Sequence, residues 1–261
     1  MEKLLTTITL LCFSAAVIAQ ENPRILSVYH GLDPMPPRAT ALCGMAPVNG
    51  QEGMPVTFSV QIDSETVSPT AFAVETSDKN LVTPICATLR PALEALEQRT
   101  ILLIGAFSAG DSIPIGVKVV DQLKDVAGNS LAGLRSIKVT PLAAGPSLVF
   151  AERFAPETPG LERECPEETA QAILLTWEGG VTGPQGADLA DAQRTAVSVV
   201  LANNDRVNPL SLGDDDPDNH VIACIAETSP AVSINVLAGF FYDPGDDSNP
   251  ATSIDIVEGR L

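Results

Sequence analysis

The residues able to do chemistry in this chain gather in acidic loops. The stretch Gly213–His220 reads GDDDPDNH and sets Asp214, Asp215, Asp216 and Asp218 beside Asn219 and His220. A second loop carries Asp243, Asp246, Asp247 and Asn249, and a third pairs Asp125 with Asn129. Calcium takes six to eight hard oxygens from carboxylates, amide carbonyls and backbone, so the first two loops are the expected calcium ligands. Neither follows the EF-hand pattern: GDDDPDNH has no glycine at the sixth position and no glutamate at the twelfth. The same residue types also build ion-free turns, because Asp and Asn bond their own backbone, Gly supplies positive φ and Pro fixes φ. Both readings stand open for each loop. His220 next to Asp218 hints at a transition metal, but no second His or Cys is near in sequence, and a histidine at a loop end is the plainer reading.

Catalysis has little to work with. The chain has two histidines, His30 and His220, and lacks a GxSxG elbow, an HExxH pair and a phosphate-cradling glycine loop. A glycosidase needs only two carboxylates at a set separation, and the second half has many. Its clefts are commonly lined by aromatics, however, and here there are one Trp, two Tyr and eight Phe. No catalytic residue and no cofactor other than calcium is expected.

Residues 1–19, MEKLLTTITLLCFSAAVIA, have an early lysine, an apolar run and small residues before Gln20. This is the pattern of a secretory signal peptide cleaved after Ala19. Export to the periplasm or beyond is therefore expected, with no membrane span in the mature chain. Four cysteines then remain: Cys43, Cys86, Cys165 and Cys224. An even count in an exported protein reads as disulfides, and none of the four is in a CxxC pair. Of the three pairings they allow, the distribution along the chain suggests Cys43–Cys86 and Cys165–Cys224. The net charge is -18, with most of it late: residues 146–261 carry 20 acidic and 5 basic side chains and no lysine. Such a surface repels nucleic acid and anionic membranes.

These loops must hang on strands. Val56 and Phe58, Val117 and Val119, Ile137 and Val139, Ile173 to Trp177, Val197 to Leu201, Ile234 and Val236, and Ile254 and Ile256 all alternate with polar or small residues. Turn-rich stretches such as NGQEG, SDKN, DVAGN and DPGDDSNP separate them. Period-two runs with regular turn signals predict an all-β sandwich architecture. Pro91–Arg99, PALEALEQR, reads either as one or two helical turns or as a loop entering a strand.

The chain reads as a diverged tandem repeat, with domain 1 over residues 20–145 and an acidic domain 2 over 146–261. VTFSV (Val56–Val60) matches ILLTW (Ile173–Trp177). Cys86 followed by ILLIGAF matches Cys224 followed by INVLAGFF, and DVAGNSL matches DPGDDSNP. By that alignment GDDDPDNH corresponds to Ser77–Ile85. The order Cys165, Trp177, Cys224 is that of antibody-type domains, but Ile222 stands where those have a tyrosine. Trp177 is expected in a sandwich core with no antibody-like role.

In the first half, VTFSVQIDSETVSPTAFAVE and GVKVVDQLKDVAGNSL resemble bacterial Ig-like domains of the surface-layer protein type. The matching residues are Phe58-Ser59, Asp63 to Val67, Phe72, and Asp125 to Asn129. The resemblance implies two tandem Ig-like β-sandwich domains, the second by way of the repeat alone. It further implies a secreted, non-catalytic binding or structural module of the bacterial envelope or extracellular space, with an unidentified protein or glycan as ligand. The alternatives are a calcium-dependent adhesion module and a secreted carbohydrate-active hydrolase or its accessory module.

Overall fold

The computed structural model describes residues 22–136, 138–141, 143–161, 165–213 and 218–260. The expected signal peptide, and Asp214, Asp215 and Asp216, lie outside the described residues. The first half contributes β1 (Ile25–Val28), β2 (Glu52–Phe58), β3 (Phe72–Thr76), β4 (Leu81–Val82), β5 (Cys86–Thr88), β6 (Thr100–Gly105), β7 (Pro114–Val119) and β8 (Arg135–Ser136). The second contributes β9 (Leu148–Phe154), β10 (Gln171–Trp177), a short α1 (Asp191–Ala196), β11 (Val197–Leu201), β12 (Arg206–Val207), β13 (Ser211–Gly213), β14 (His220–Ile225), β15 (Ala231–Val236), β16 (Thr252–Asp255) and β17 (Val257–Glu258).

Each half is a pair of sheets. The first half has orders β1-β2-β6-β5 and β4-β3-β7-β8. The second has β9-β10-β14-β13, with β17 parallel to the outer edge of β9, and β12-β11-β15-β16. Adding eight to every strand number of the first half reproduces the second, so the two halves share one topology. The pairings are antiparallel apart from β17.

The alternation read from sequence sets the cores. Val56 and Phe58 of β2, Ile101 and Leu103 of β6, and Phe72, Val74, Val117 and Val119 of the facing sheet form one buried cluster. Ile173, Leu175 and Trp177 of β10 meet Val197, Val199, Ile234 and Phe241 in the second. Trp177 is fully buried, its ring 4.6 Å from that of Phe241. In β10 the intervening residues are buried too. Ala172 and Leu174, with Ile222 and Cys224 of β14, face away from the sandwich core and pack with Phe154, Leu161 and Leu96, the last from the first half.

Both disulfides form as paired from sequence, Cys43–Cys86 and Cys165–Cys224. Each pins the segment between the first two strands of its half across the outer face of a sheet. Cys224 therefore lies on the opposite face of its sheet from Trp177, unlike an antibody-type disulfide.

The structure settles one open reading and corrects another. Pro91–Arg99 is a run of turns leading into β6, the loop of the two alternatives; Leu96 at φ +78° breaks any helical path. The repeat alignment slips by one strand after β4. Cys86 lies in β5 but Cys224 in β14, the counterpart of β6. INVLAGFF is β15, the counterpart of β7, so GDDDPDNH corresponds to the loop 89–99 and not to Ser77–Ile85.

Cross-links spanning 43 and 59 residues each remove about 4 kcal/mol of unfolded-state entropy in the chain-entropy model. Replacing Cys165 and Cys224 together by serine is expected to lower the unfolding free energy in urea by about 2–4 kcal/mol. An unchanged urea midpoint would contradict a structural role for that bridge.

Candidate functional site

The seam between the halves collects a group of buried polar and charged side chains. Four carboxylates of the second half are buried there: Glu152, Glu178, Asp218 and Asp243, each at most 6% exposed. Glu152, Glu178 and Asp243 each meet a donor from residues 20–145. Arg99 donates from Nη2 to Glu152 Oε2. Thr140 Oγ1 donates to Glu178 Oε1 at 2.8 Å. Tyr29 Oη lies 2.6 Å from Asp243 Oδ2 and 2.7 Å from the Ala144 carbonyl, with one proton between them. Asn219 crosses in the other direction and donates from Nδ2 to Thr100 Oγ1 at 2.9 Å.

The Asp243 contact follows from the repeat. In the first half, Asp125 closes a turn: Asp125 N donates to Asn129 O, Gly128 N to Asp125 O, and Asn129 N to Asp125 Oδ1. In the second half Asp243, Asp246 and Asp247 reproduce all three bonds. Positive φ falls on Gly128 at +84° and on Asp246 at +65°. One bond cannot be reproduced. Asn129 Nδ2 donates to Asp125 Oδ2 at 2.8 Å, but its counterpart Asp247 has no amide to give. The Tyr29 hydroxyl fills that place. Its ring lies between Gly31 and Gly179; a Cβ on Gly179 would fall 2.6 Å from Tyr29 Cδ1, so the close approach requires glycine. Burial, then the bond to Asp243 and the surrounding negative charge, push the phenol well above its ordinary pKa.

Arg99 and Glu152 are an ion pair with little water around it. Arg99 is 2% exposed, lies 4.8 Å over the Phe150 ring, and leaves Nε and Nη1 without hydrogen bonds. Burial pushes the Glu152 carboxyl up and outweighs the pull of the guanidinium.

Several described side chains of the loops expected to hold calcium already accept or give hydrogen bonds within the protein. Asp243 Oδ1 accepts from the Gly245 and Asp247 backbone, and Asp246 Oδ1 accepts from Gln185 N. Asn249 is buried, with Oδ1 taking two backbone N–H groups and Nδ2 giving to two carbonyls. Asp218 and Asn219 are buried at the seam, where Asp218 Oδ1 accepts from His220 N at 2.6 Å. Asp218 and Asn219 line the same seam cleft as Pro244, next to Asp243, whereas Asp246 is on the exposed side of its loop.

Among the described residues, two sets could hold a metal, and each contains one of the two histidines. They are His30, Asp33 and Glu52, and Glu97, Asp218 and His220. His220 Nδ1 lies 3.4 Å from Asp218 Oδ2. Sequence pointed to Asp218 with His220. It missed Glu97, which arrives from the other half, and the entire His30 set, whose members are joined by a strand-like pairing with no local signal.

Three clefts open nearby. One of about 120 Å³ lies on the seam between Leu89–Ala92 and Gly179, Gly180, Asp218 and Asn219. One of about 300 Å³ is lined by Gly31–Pro34 and by Asp243, Pro244, Gly245 and Asp247. The third lies along the connector, beside Ala143–Gly145 and Glu178. No aromatic side chain lines any of the three.

No protein-family model matches this sequence, and no curated protein matches it. Among solved structures, the N-terminal part of the bacterial S-layer protein SbsC aligns over 90% of this chain and 44% of its own, at 12% identity and a TM-score of 0.30. Domains 1–6 of the surface layer protein SbsC align over 93% and 42%, at 11% identity and a TM-score of 0.32. This chain spans less than half the length of either. At such TM-scores the likeness is loose, and nothing about function rests on it.

Two outcomes are expected at the seam. Tyr29→Phe removes a buried donor and should cost about 1–3 kcal/mol in urea unfolding. Because folding raises the phenol's pKa above its ordinary value of 10.0, the unfolded chain loses that proton first, and stability should fall as the pH climbs past 10. In Tyr29→Phe that alkaline slope should be shallower. For the ion pair, Glu152→Gln leaves a buried guanidinium unpaired and should cost about 3–5 kcal/mol, most of it recovered by Arg99→Met with Glu152→Leu. A double variant as unstable as the single one would mean that the pair is itself net stabilising.

Proposed function

We propose that the chain is an exported, non-catalytic structural or binding module of the envelope or extracellular space, in which two like sandwiches act as one stiff unit. The observation that carries this reading is the seam, where Glu152, Glu178 and Asp243, buried in one half, each take a donor from the other. Interfaces between domains of one chain default to mobility unless they are large and well packed. Here an apolar cluster containing Leu96 crosses the same boundary, and two disulfides hold the flanking segments to the sheets. The domain boundary near residue 145 then separates two halves of a single cooperative body.

A spacer or display module is favoured over a glycan hydrolase by how the acids are used. Glu152, Glu178 and Asp243 are engaged by Arg99, Thr140 and Tyr29, which leaves them poorly placed as an acid and a base across an open cleft. The aromatic platforms that would bind a sugar ring are missing from the three clefts.

Calorimetry on the mature protein tests the unit. One transition is expected, with calorimetric and van't Hoff enthalpies in agreement. Two resolved transitions in the unmodified chain would overturn the single-body reading. Recovery of the protein outside the cytoplasm with Gln20 at its N terminus is the matching outcome for export, and a Met1 terminus would contradict it.

A further inference from the structure

We propose that His30, Asp33 and Glu52 form a binding site for a divalent first-row transition ion, with zinc as the reference case. One nitrogen or oxygen atom from each lies within 4.8 Å of the others. The chain path produces this grouping. Leu32 bridges Gly53, Met35 N donates to Gln51 O, and His30 N donates to Thr140 O, so residues 30–35 run antiparallel to the start of β2.

The second observation concerns the imidazole. The His30 side chain is 9% exposed, and its Nε2 makes no hydrogen bond. That nitrogen nevertheless lies 3.1 Å from Glu52 Oε2. Two ligands at about 2.0–2.2 Å from one ion sit about 2.8–3.6 Å apart in octahedral or tetrahedral geometry. A close approach without hydrogen-bond alignment is what two such ligands show.

The surroundings suit an ion. The Phe107 and Ser108 backbone N–H groups and Ser108 Oγ all donate to the Glu52 carboxylate at 3.0–3.2 Å, fixing its orientation as outer-sphere partners do. Asp33 is exposed and borders the cleft beside Asp243, so it would close the site from the solvent side and leave a position for water or a ligand from a partner. One imidazole with two carboxylates suits zinc, manganese, cobalt or nickel; calcium takes oxygen donors and gains nothing from a buried imidazole.

The test is isothermal titration of the chelator-stripped mature chain with zinc chloride, alongside Asp33→Asn, His30→Gln and His220→Gln. The expected result is a one-equivalent site that His220→Gln retains. Loss of a ligand should weaken it by at least the about 10–100-fold that loss of an outer-sphere partner costs. Zinc should raise the melting temperature of the unmodified chain and not of Asp33→Asn, and cobalt should give visible d–d absorption that Asp33→Asn abolishes. Asp33 is exposed, so its variant decides the matter if His30→Gln does not fold. No binding at millimolar zinc, binding unchanged in Asp33→Asn, or binding lost on His220→Gln alone would overturn the assignment. The first of these would leave His30 and Glu52 as a plain charge pair.

Discussion

A carboxylate taken out of water must be given donors, and the second half of this chain buries four at one face, three of which take a donor from the first half. Alone, that half would bring Glu152, Glu178 and Asp243 to its surface within a body already rich in negative charge. Docked, it receives Arg99, Thr140 and Tyr29 from the first half, each reaching across the seam. The charge asymmetry along the sequence and the geometry of the seam are thus two views of one arrangement. The acidic half places one oxygen of each of these acids where its neighbour supplies the donor.

The repeat explains why Asp243 is among them. Duplicated sandwiches carry duplicated turns, and the Asp125 turn satisfies itself because Asn129 offers an amide. Once the counterpart of Asn129 is Asp247, the turn keeps its backbone bonds but loses a donor. Tyr29, with glycine on both sides of its ring, supplies one from outside. A local deficit in one repeat is met by a contact with the other. The sheet of β10 and β14 shows the same logic in apolar terms. Its residues are buried on both faces, one against its own sandwich and the other against the Cys165 segment and Leu96. Leu96 reaches that cluster from a left-handed backbone conformation that a leucine adopts at a cost of about 1–2 kcal/mol. Such strain persists where packing over-determines it.

Much of the fold was legible because it is written in period two. The alternating runs at Val56–Phe58, Val117–Val119, Ile173–Trp177, Val197–Leu201 and Ile234–Val236 all lie in strands, and both disulfides follow from cysteine distribution. The repeat alignment slipped where the loops change length. ILLIG and INVLAG look alike, since both are apolar strands before a Phe, yet hydrogen-bond partners and not composition define a strand's place. The DxxGN turn was recognisable in the first half. Its second copy was placed by the repeat at DPGDDSNP but not legible as the same turn, because Asp246 takes the left-handed position that Gly128 holds and sequence rules look for glycine there. The pairing of His30 with Glu52 was beyond reach for a different reason. It depends on a register between two segments some twenty residues apart, and neither carries a motif.

The Arg99–Glu152 pair shows what kind of interface this is. Removing both charges from water is costly, and Arg99 leaves two of its nitrogens without hydrogen bonds, so the pair does not reach the bonding that would offset its desolvation. If stability alone governed the seam, an apolar pair would serve as well. What an ion pair adds is discrimination. A guanidinium that sits both over Phe150 and against one carboxylate constrains the relative placement of the halves more than an apolar contact does. The apolar cluster around Leu96 then supplies attraction and the polar contacts supply register. Two sandwiches that share a topology could in principle dock in many ways. A seam whose polar contacts must each be met narrows those ways.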